Sequence, residues 1–426
     1  MYYNNNNCFN QETIYGSIRP LYVLSKCVGL VPLTMIKEQR KYGHVHCGFS
    51  NSKTAITHVI LLITVLVVCQ CLLGIHLYYN SIEYTNAVMR TYMTELYISV
   101  NMSIVVIVCS TFKLHQELDK VIRNISFLDE MLLPSQNKTY LLTGKLLKIE
   151  IIGILFLLTT LYLFDYITWN NHVLWNICYA MERFNILVYY ASLLQFINFV
   201  LLINHRFRTL NSYLTSDTAS STTSSRPEKL RKKIGVHNPK IFIDNVLFID
   251  IYNDITLHDF KWTSLGATRA NTLRMLYDSL CDVVCAVNGM YGLQMLILTI
   301  GGLVRMTASL NYAIISFNKT GLSCKIATTL LWTSLTITIL SIMAGSCNST
   351  IEVSSRTSDL LQKLMLLREI DPDTKAEINL FLQQVNVRKV RFTAWGFFTI
   401  KYSILGSVIG AVITYIVIIV QFQKMS

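Results

Sequence analysis

Apolar runs of roughly twenty residues recur seven times along the chain, at residues 56–79, 92–112, 147–168, 183–203, 283–305, 325–345 and 395–422. At 1.5 Å per residue each can cross the ~30 Å hydrocarbon core as a helix, so the pattern predicts seven membrane spans. The period changes after Thr350: Leu360, Leu361, Leu364 and Leu367 form one amphipathic stripe, interrupted at Asp371-Pro372. There Asp suits an N-cap and Pro a first helical turn. The stripe needs a partner, which the pattern leaves open between the same chain and a neighbouring subunit. Nine Ser or Thr occupy the eleven positions 215–225, and a basic run from Lys229 to Lys233 follows. Such composition predicts a disordered linker.

The expected order is therefore a polar N-terminal segment (1–55), helices one to four (56–203) with a loop at 113–146, and a long loop (204–282). Helices five and six (283–345), a helical anchor region (346–392) and a last helix (393–426) follow.

Orientation comes from the loops. Arg40, Lys41, Lys53, Lys120, Arg123, Lys363 and Lys375 lie on the side of the N-terminus, whereas the opposite loops hold Arg90, Lys319 and Lys424. The bias predicts a cytoplasmic N-terminus and an external C-terminus, at the plasma membrane. It also explains the net charge of +12 as a basic surface facing anionic lipid, with no nucleic-acid-binding pattern. G-protein-coupled receptors have the opposite orientation, so no G-protein partner is expected. Charged residues make up 15% and apolar residues 52% of the chain, which excludes a soluble protein of this length.

Enzymatic signatures are absent. His115 and Asp119 have the HxxxD spacing on a charged amphipathic helix. No GxSxG, HExxH, Walker or Rossmann motif accompanies them, and the scattered cysteines lack metal-ligand spacing. Neither a metal nor a cofactor is expected.

Intramembrane ionisable groups mark sites more often than chance. Glu95, Asp165, Glu182, Arg183, Arg305 and Lys325 all fall near the external ends of their spans. Tyr162, Asp165 and Thr168 share one face of span three, and Lys325, Thr328 and Trp332 share one face of span six. Trp332 lies roughly 15 Å below the outer end of its helix, too deep for the interfacial aromatic belt. A buried indole beside carboxylates and hydroxyls suits a polyhydroxylated ligand. In span seven, Ser403, Ser407, Gly410, Thr414 and Gln421 make one small or polar stripe. That face suits a water-filled pore, and the competing use is close packing through Gly406 and Gly410. Of the sequons at Asn101, Asn124, Asn137, Asn318 and Asn348, the orientation leaves Asn318 as the external glycan acceptor.

The run Thr414-Tyr415-Ile416-Val417-Ile418-Ile419-Val420-Gln421-Phe422 resembles the TYhhhhhQF signature that closes the insect gustatory receptors, where h is hydrophobic. Arg206-Phe207 and Leu210-Asn211 after span four extend the likeness. Asp165, Thr168, Trp169, Leu331-Trp332 and Gln421-Phe422-Gln423 are most similar to the fructose-receptor branch. Tyr97 stands where that branch has an acidic residue, and Asn311, after Ser309, where it has an aromatic. The resemblance implies an all-α insect chemoreceptor channel: a homotetramer gated by a fructose-like or inositol-like ligand and permeable to cations. It places the ligand within spans one to six, near Glu95, Tyr97, Tyr162, Asp165, Thr168, Arg305, Ser309, Asn311, Lys325, Thr328 and Trp332. It lines the pore with Ser407, Thr414 and Ile418, with Gln421 and Phe422 as the gate. The alternative is a ligand-binding subunit that conducts only in a heteromer.

Overall fold

A computed structural model describes residues 13–39, 45–79, 87–133, 136–169, 173–222, 266–320, 323–366 and 370–425. Among them are nine helices: α1 (Ile14–Cys27), α2 (Lys53–Tyr79), α3 (Ala87–Leu132), α4 (Gln136–Trp169), α5 (Val173–Thr222), α6 (Ala267–Thr320), α7 (Cys324–Met365), α8 (Pro372–Val387) and α9 (Ser403–Met425). Two small antiparallel hairpins complete the described chain, β1 (Leu33–Gln39) with β2 (Val45–Asn51) and β3 (Thr393–Ala394) with β4 (Phe398–Thr399).

Six helices, α2 to α7, are long and apolar enough to cross a membrane, and a shorter apolar stretch at Ser403–Ile418 supplies the seventh. Their outward faces stay apolar and exposed: Leu61 and Leu72 on α2, and Ile152, Phe156 and Ile167 on α4, are largely uncovered among the described residues and suit contact with lipid. The protein is a multi-pass membrane protein. Helices α3, α5, α6 and α7 run well past the bilayer length, and their extensions build the helical body on the side of the N-terminus.

That body is tied by buried polar residues. Arg206 forks onto both oxygens of Asp129, Nε to Oδ1 at 2.8 Å and Nη2 to Oδ2 at 2.6 Å. Tyr140 on α4 donates to the same carboxylate at 2.6 Å. One turn on, Asn211 donates to the Val353 carbonyl at 2.7 Å and accepts from the Thr357 hydroxyl at 2.7 Å, fastening α5 to α7. Phe207 and Leu210 beside them are fully buried. These are the residues that carried the likeness after span four.

The described part of the amphipathic stripe packs within its own chain, and Leu367 lies outside the described residues. Asp371 caps α8, accepting from the Thr374 amide with Pro372 in the first turn. Leu361 and Leu364 on α7 and Ile378, Phe381 and Val385 on α8 are buried, and the Phe381 ring meets Tyr277 of α6 at 5.7 Å. Beyond α8, Arg388 pairs with Asp278 and Asp282, clasping the chain to α6 before it turns outward.

Three expectations are corrected. The N-terminal segment, read only as polar and basic, holds α1 and the β1–β2 hairpin. Thr13 caps α1, and the Phe49 amide donates to Asp119 at 3.1 Å, giving that residue of the HxxxD pair a scaffolding role. The stretch read as a linker is helical as far as Thr222, where α5 continues through it; residues 223–265 lie outside the described ones. The last span starts at Ser403 and not at residue 395. Trp395 (φ 50°) and Gly396 (φ 82°) form a left-handed turn that no α-helix continues through. The Asn288 side chain holds this hairpin by accepting from the Thr393 amide and donating to the Arg391 carbonyl.

Candidate functional site

In the half of the bundle away from the N-terminal body, α3 to α7 diverge around a cavity of ≈ 640 Å³, counting the part open to solvent. The long apolar helices would close here by hydrophobic packing, but each contributes a polar side chain at the same level. Glu95 comes from α3, Asp165 from α4, Glu182 and Arg183 from α5, Arg305 and Ser309 from α6, and Trp332 from α7.

The charges are arranged in pairs. Asp165, 4% exposed, receives the Arg183 guanidinium at 2.5 Å and the Trp332 indole N–H at 2.8 Å on one oxygen, Oδ2. The same guanidinium lies over the Trp332 ring, 4.5 Å from its centroid, and 3.6 Å from Glu182. Across the cavity Arg305 faces Glu95 at 3.4 Å and donates to the Ser99 hydroxyl at 3.0 Å. Every carboxylate in the wall thus has a guanidinium within 4 Å. Burying charges in a low-dielectric interior demands such pairing. The result is a wall dense in donors and acceptors, in which three carboxylates share two guanidinium groups and Arg183 serves both Asp165 and Glu182.

A second hollow of ≈ 440 Å³ adjoins the first, sharing Glu95 and Arg305 and reaching inward to Asn185 and Tyr189 of α5. The Asn185 amide and the Tyr189 hydroxyl, both buried, have no hydrogen-bond partner.

Of the residues singled out in the sequence, the structure brings Glu95, Asp165, Arg305, Ser309 and Trp332 to the cavity wall. Thr328 and Asn311 are buried close by in sequence but do not line it, and the Thr328 hydroxyl donates to the Lys325 carbonyl at 2.8 Å. Tyr162 lies against Tyr166, and Thr168 bonds the Phe164 carbonyl of its own helix. Tyr97 is 42% exposed, and Lys325 is half-buried outside the wall. The side chains of Trp169, Asn318 and Phe422 lie outside the described residues. Glu182 and Arg183, noted as intramembrane charges, belong to the wall, as do Ala308, Tyr312 and Thr329, which gave no signal. Arg183 was the legible one: a cation at the outer end of an apolar helix needs an anion, and Asp165 lies near the same end of span three.

On α9 the geometry separates two faces. Val408 and Val412 are buried against Met306 of α6. At ~100° per residue, Gly410 points about 180° away from their mean direction, and Ser403, Thr414 and Gln421 within about 40° of Gly410. Ser407, Thr414, Ile418 and Gln421 are exposed, and a side chain built at Gly406 or Gly410 would meet nothing within 4 Å. Among the described residues, no side chain or backbone closes on the glycine pair within that distance.

Residues 18–426 match the family described as 7tm Chemosensory receptor. Among curated proteins, the chain is 32% identical over 94 residues to "Gustatory and pheromone receptor 32a" of Drosophila melanogaster, covering 22% of this chain and 20% of that protein. It is 22% identical over 176 residues to "Putative gustatory receptor 2a" of the same organism, covering 36% and 41%. The matched segments thus span less than half the length of either relative. Among solved structures, the insect olfactory receptor OR5 from Machilis hrabei superposes with a TM-score of 0.64 at 12% identity, over 98% of this chain and 100% of that one. The same receptor in complex with eugenol gives the same values. These likenesses show a shared fold.

Proposed function

Because the chain belongs to the 7tm chemosensory receptor family, whose members are receptors and not enzymes, we propose that it is an insect gustatory receptor acting as a cation channel opened by an uncharged sugar or polyol. The observation that carries this reading is the polar cavity in which Asp165, Arg183 and Trp332 meet and every guanidinium already faces a carboxylate. An anionic ligand would find both wall guanidinium groups already facing carboxylates, whereas hydroxyl groups donate to the carboxylates and accept from the guanidinium groups. Fructose-like and inositol-like molecules have this chemistry.

In this reading the chain assembles as a homotetramer in the plasma membrane, with α9 of each subunit around a central pore. The exposed small and polar face of α9, opposite its packed Val408 and Val412, supports that arrangement. Gln421 and Phe422 form the gate at its outer end. Ligand binding favours the open arrangement of α3 to α7 by differential affinity, since an uncharged ligand exerts no electrostatic pull on the gate.

Expression alone in cells without other receptors should give cation currents during application of a panel including fructose, other sugars and myo-inositol. Silence across the panel at normal surface expression, with currents restored by a co-expressed receptor, would support instead a subunit that conducts only in a heteromer. Cysteines at Ser407 and Thr414 should react with water-soluble thiol reagents mainly while agonist is present. Equal reactivity in both conditions, with state dependence at Ile413, would remove α9's polar face from the pore.

A further inference from the structure

A larger hollow lies in the other half of the bundle and shares no lining residue with the ligand cavity. It holds ≈ 1210 Å³, counting the part open to solvent, between α1, α3, α4 and α5. Its walls are mainly apolar: Leu21 of α1, Leu114 and Leu118 of α3, Leu147 of α4, and Phe199 and Leu202 of α5. Water fills apolar space poorly, so a hollow of this kind favours an apolar occupant. Helix α4, which closes one side, turns Ile149, Ile152 and Phe156 outward, where the bilayer supplies such an occupant.

The polar groups in the wall specify its head. The cationic ones are engaged: Arg206 with Asp129, and Arg208 through Nε with the Asn204 side chain at 2.8 Å. Asn198 donates to Glu150, and Asn204 to Ser349 and Thr350. Two neutral atoms have no partner, the Gln195 side-chain oxygen and the Tyr291 hydroxyl, on residues 3% and 0% exposed. An amide oxygen can only accept, and a phenol can donate or accept. A hydroxyl matches both, donating to Gln195 and accepting from Tyr291, whereas an anionic head group would find Arg206 already neutralised by Asp129 and the Arg208 Nε held by the Asn204 amide.

We propose that this hollow is a lipid site for an uncharged, hydroxyl-bearing lipid of the sterol type drawn from the surrounding membrane. The site is placed to influence the pore. The Tyr291 and Phe392 rings both contact Phe196 of α5, at 5.9 and 6.1 Å. At Gly292, next to Tyr291, the β3–β4 hairpin approaches so closely that a Cβ would meet the Trp395 nitrogen at 3.0 Å and the Thr393 oxygen at 3.3 Å. An occupant bonded to Tyr291 therefore sits beside the strand that leads into α9. The proposal does not depend on which ligand opens the channel.

The test is photolabelling of the full-length receptor in cell membranes with a diazirine-bearing cholesterol analogue, followed by peptide mapping. Label should appear on the hollow-facing segments of α1, α3, α4 or α5 and be competed by excess unlabelled cholesterol. Leu147→Trp, which fills the hollow, should remove it. Gln195→Leu, which keeps the bulk but loses the acceptor, should raise the cholesterol needed for competition about three- to tenfold. Gel-filtration profiles establish that each variant is folded, and if Leu147→Trp is not, Gln195→Leu decides. Label confined to the lipid-facing surfaces of α2 and α4, or competition unchanged in a folded Gln195→Leu receptor, would overturn the assignment.

Discussion

Replacing Asp129 by Leu should destabilise the receptor by about 3 to 5 kcal/mol, enough to empty the cell surface of a protein of ordinary stability. Asp129 is fully buried and is the carboxylate on which the Arg206 fork and the Tyr140 hydroxyl converge. Without it the Arg206 guanidinium, on a residue 1% exposed, keeps its charge and loses its counter-ion. Removing one partner of a buried pair is much worse than removing both, because the penalty comes from the abandoned charge. Asp129→Leu combined with Arg206→Met should therefore recover a large part of the loss. Fluorescence-detected gel filtration after a heat challenge, with surface biotinylation, measures both variants. An unchanged melting profile for Asp129→Leu, or a double variant as damaged as the single, would show that the pair does not hold α3 and α5 together.

That pair also shows what a sequence reveals and what it withholds. Span positions were legible because a membrane helix writes its length directly as an apolar run, and the α8 start because a cap and a proline are local signals. The partner of Arg206 was not legible: Asp129 lies 77 residues away on another helix, in a charged segment with several acidic residues that look alike. The β1–β2 hairpin was missed because Thr34 to Gln39 and Val45 to Ser50 alternate weakly, and their pairing depends on support from Asp119. The turn at Trp395-Gly396 was hidden inside a run whose hydropathy continues smoothly into α9. At the cavity lined by Asp165 and Trp332, intramembrane charge was the informative signal. It marked Glu95, Asp165, Arg305 and both members of the Glu182-Arg183 pair, whereas hydroxyl and aromatic residues chosen by helical spacing alone, Tyr162 and Thr168, turned elsewhere. Spacing fixes which residues share a face but not how far that face rotates toward its neighbours.

For the proposed ligand-gated channel, Trp332→Ala should shift the agonist dose-response to about tenfold or more higher concentration. Two effects combine in that variant. The aromatic surface is lost, and Asp165 loses the indole N–H that, with Arg183, fixes its orientation. Trp332→Phe separates them, since it keeps a ring for Arg183 to lie against and deletes only the donor. If orientation of the carboxylate dominates, Trp332→Phe should weaken the agonist nearly as much as Trp332→Ala, and Asp165→Asn should do likewise through loss of a charge-assisted acceptor. If the aromatic face dominates, Trp332→Phe should stay close to the native receptor while Trp332→Ala does not. The measurement is half-maximal concentration at matched surface expression, with maximal current recorded alongside to separate binding from gating. Native half-maximal concentrations in Trp332→Ala and Asp165→Asn together would place the agonist outside this cavity.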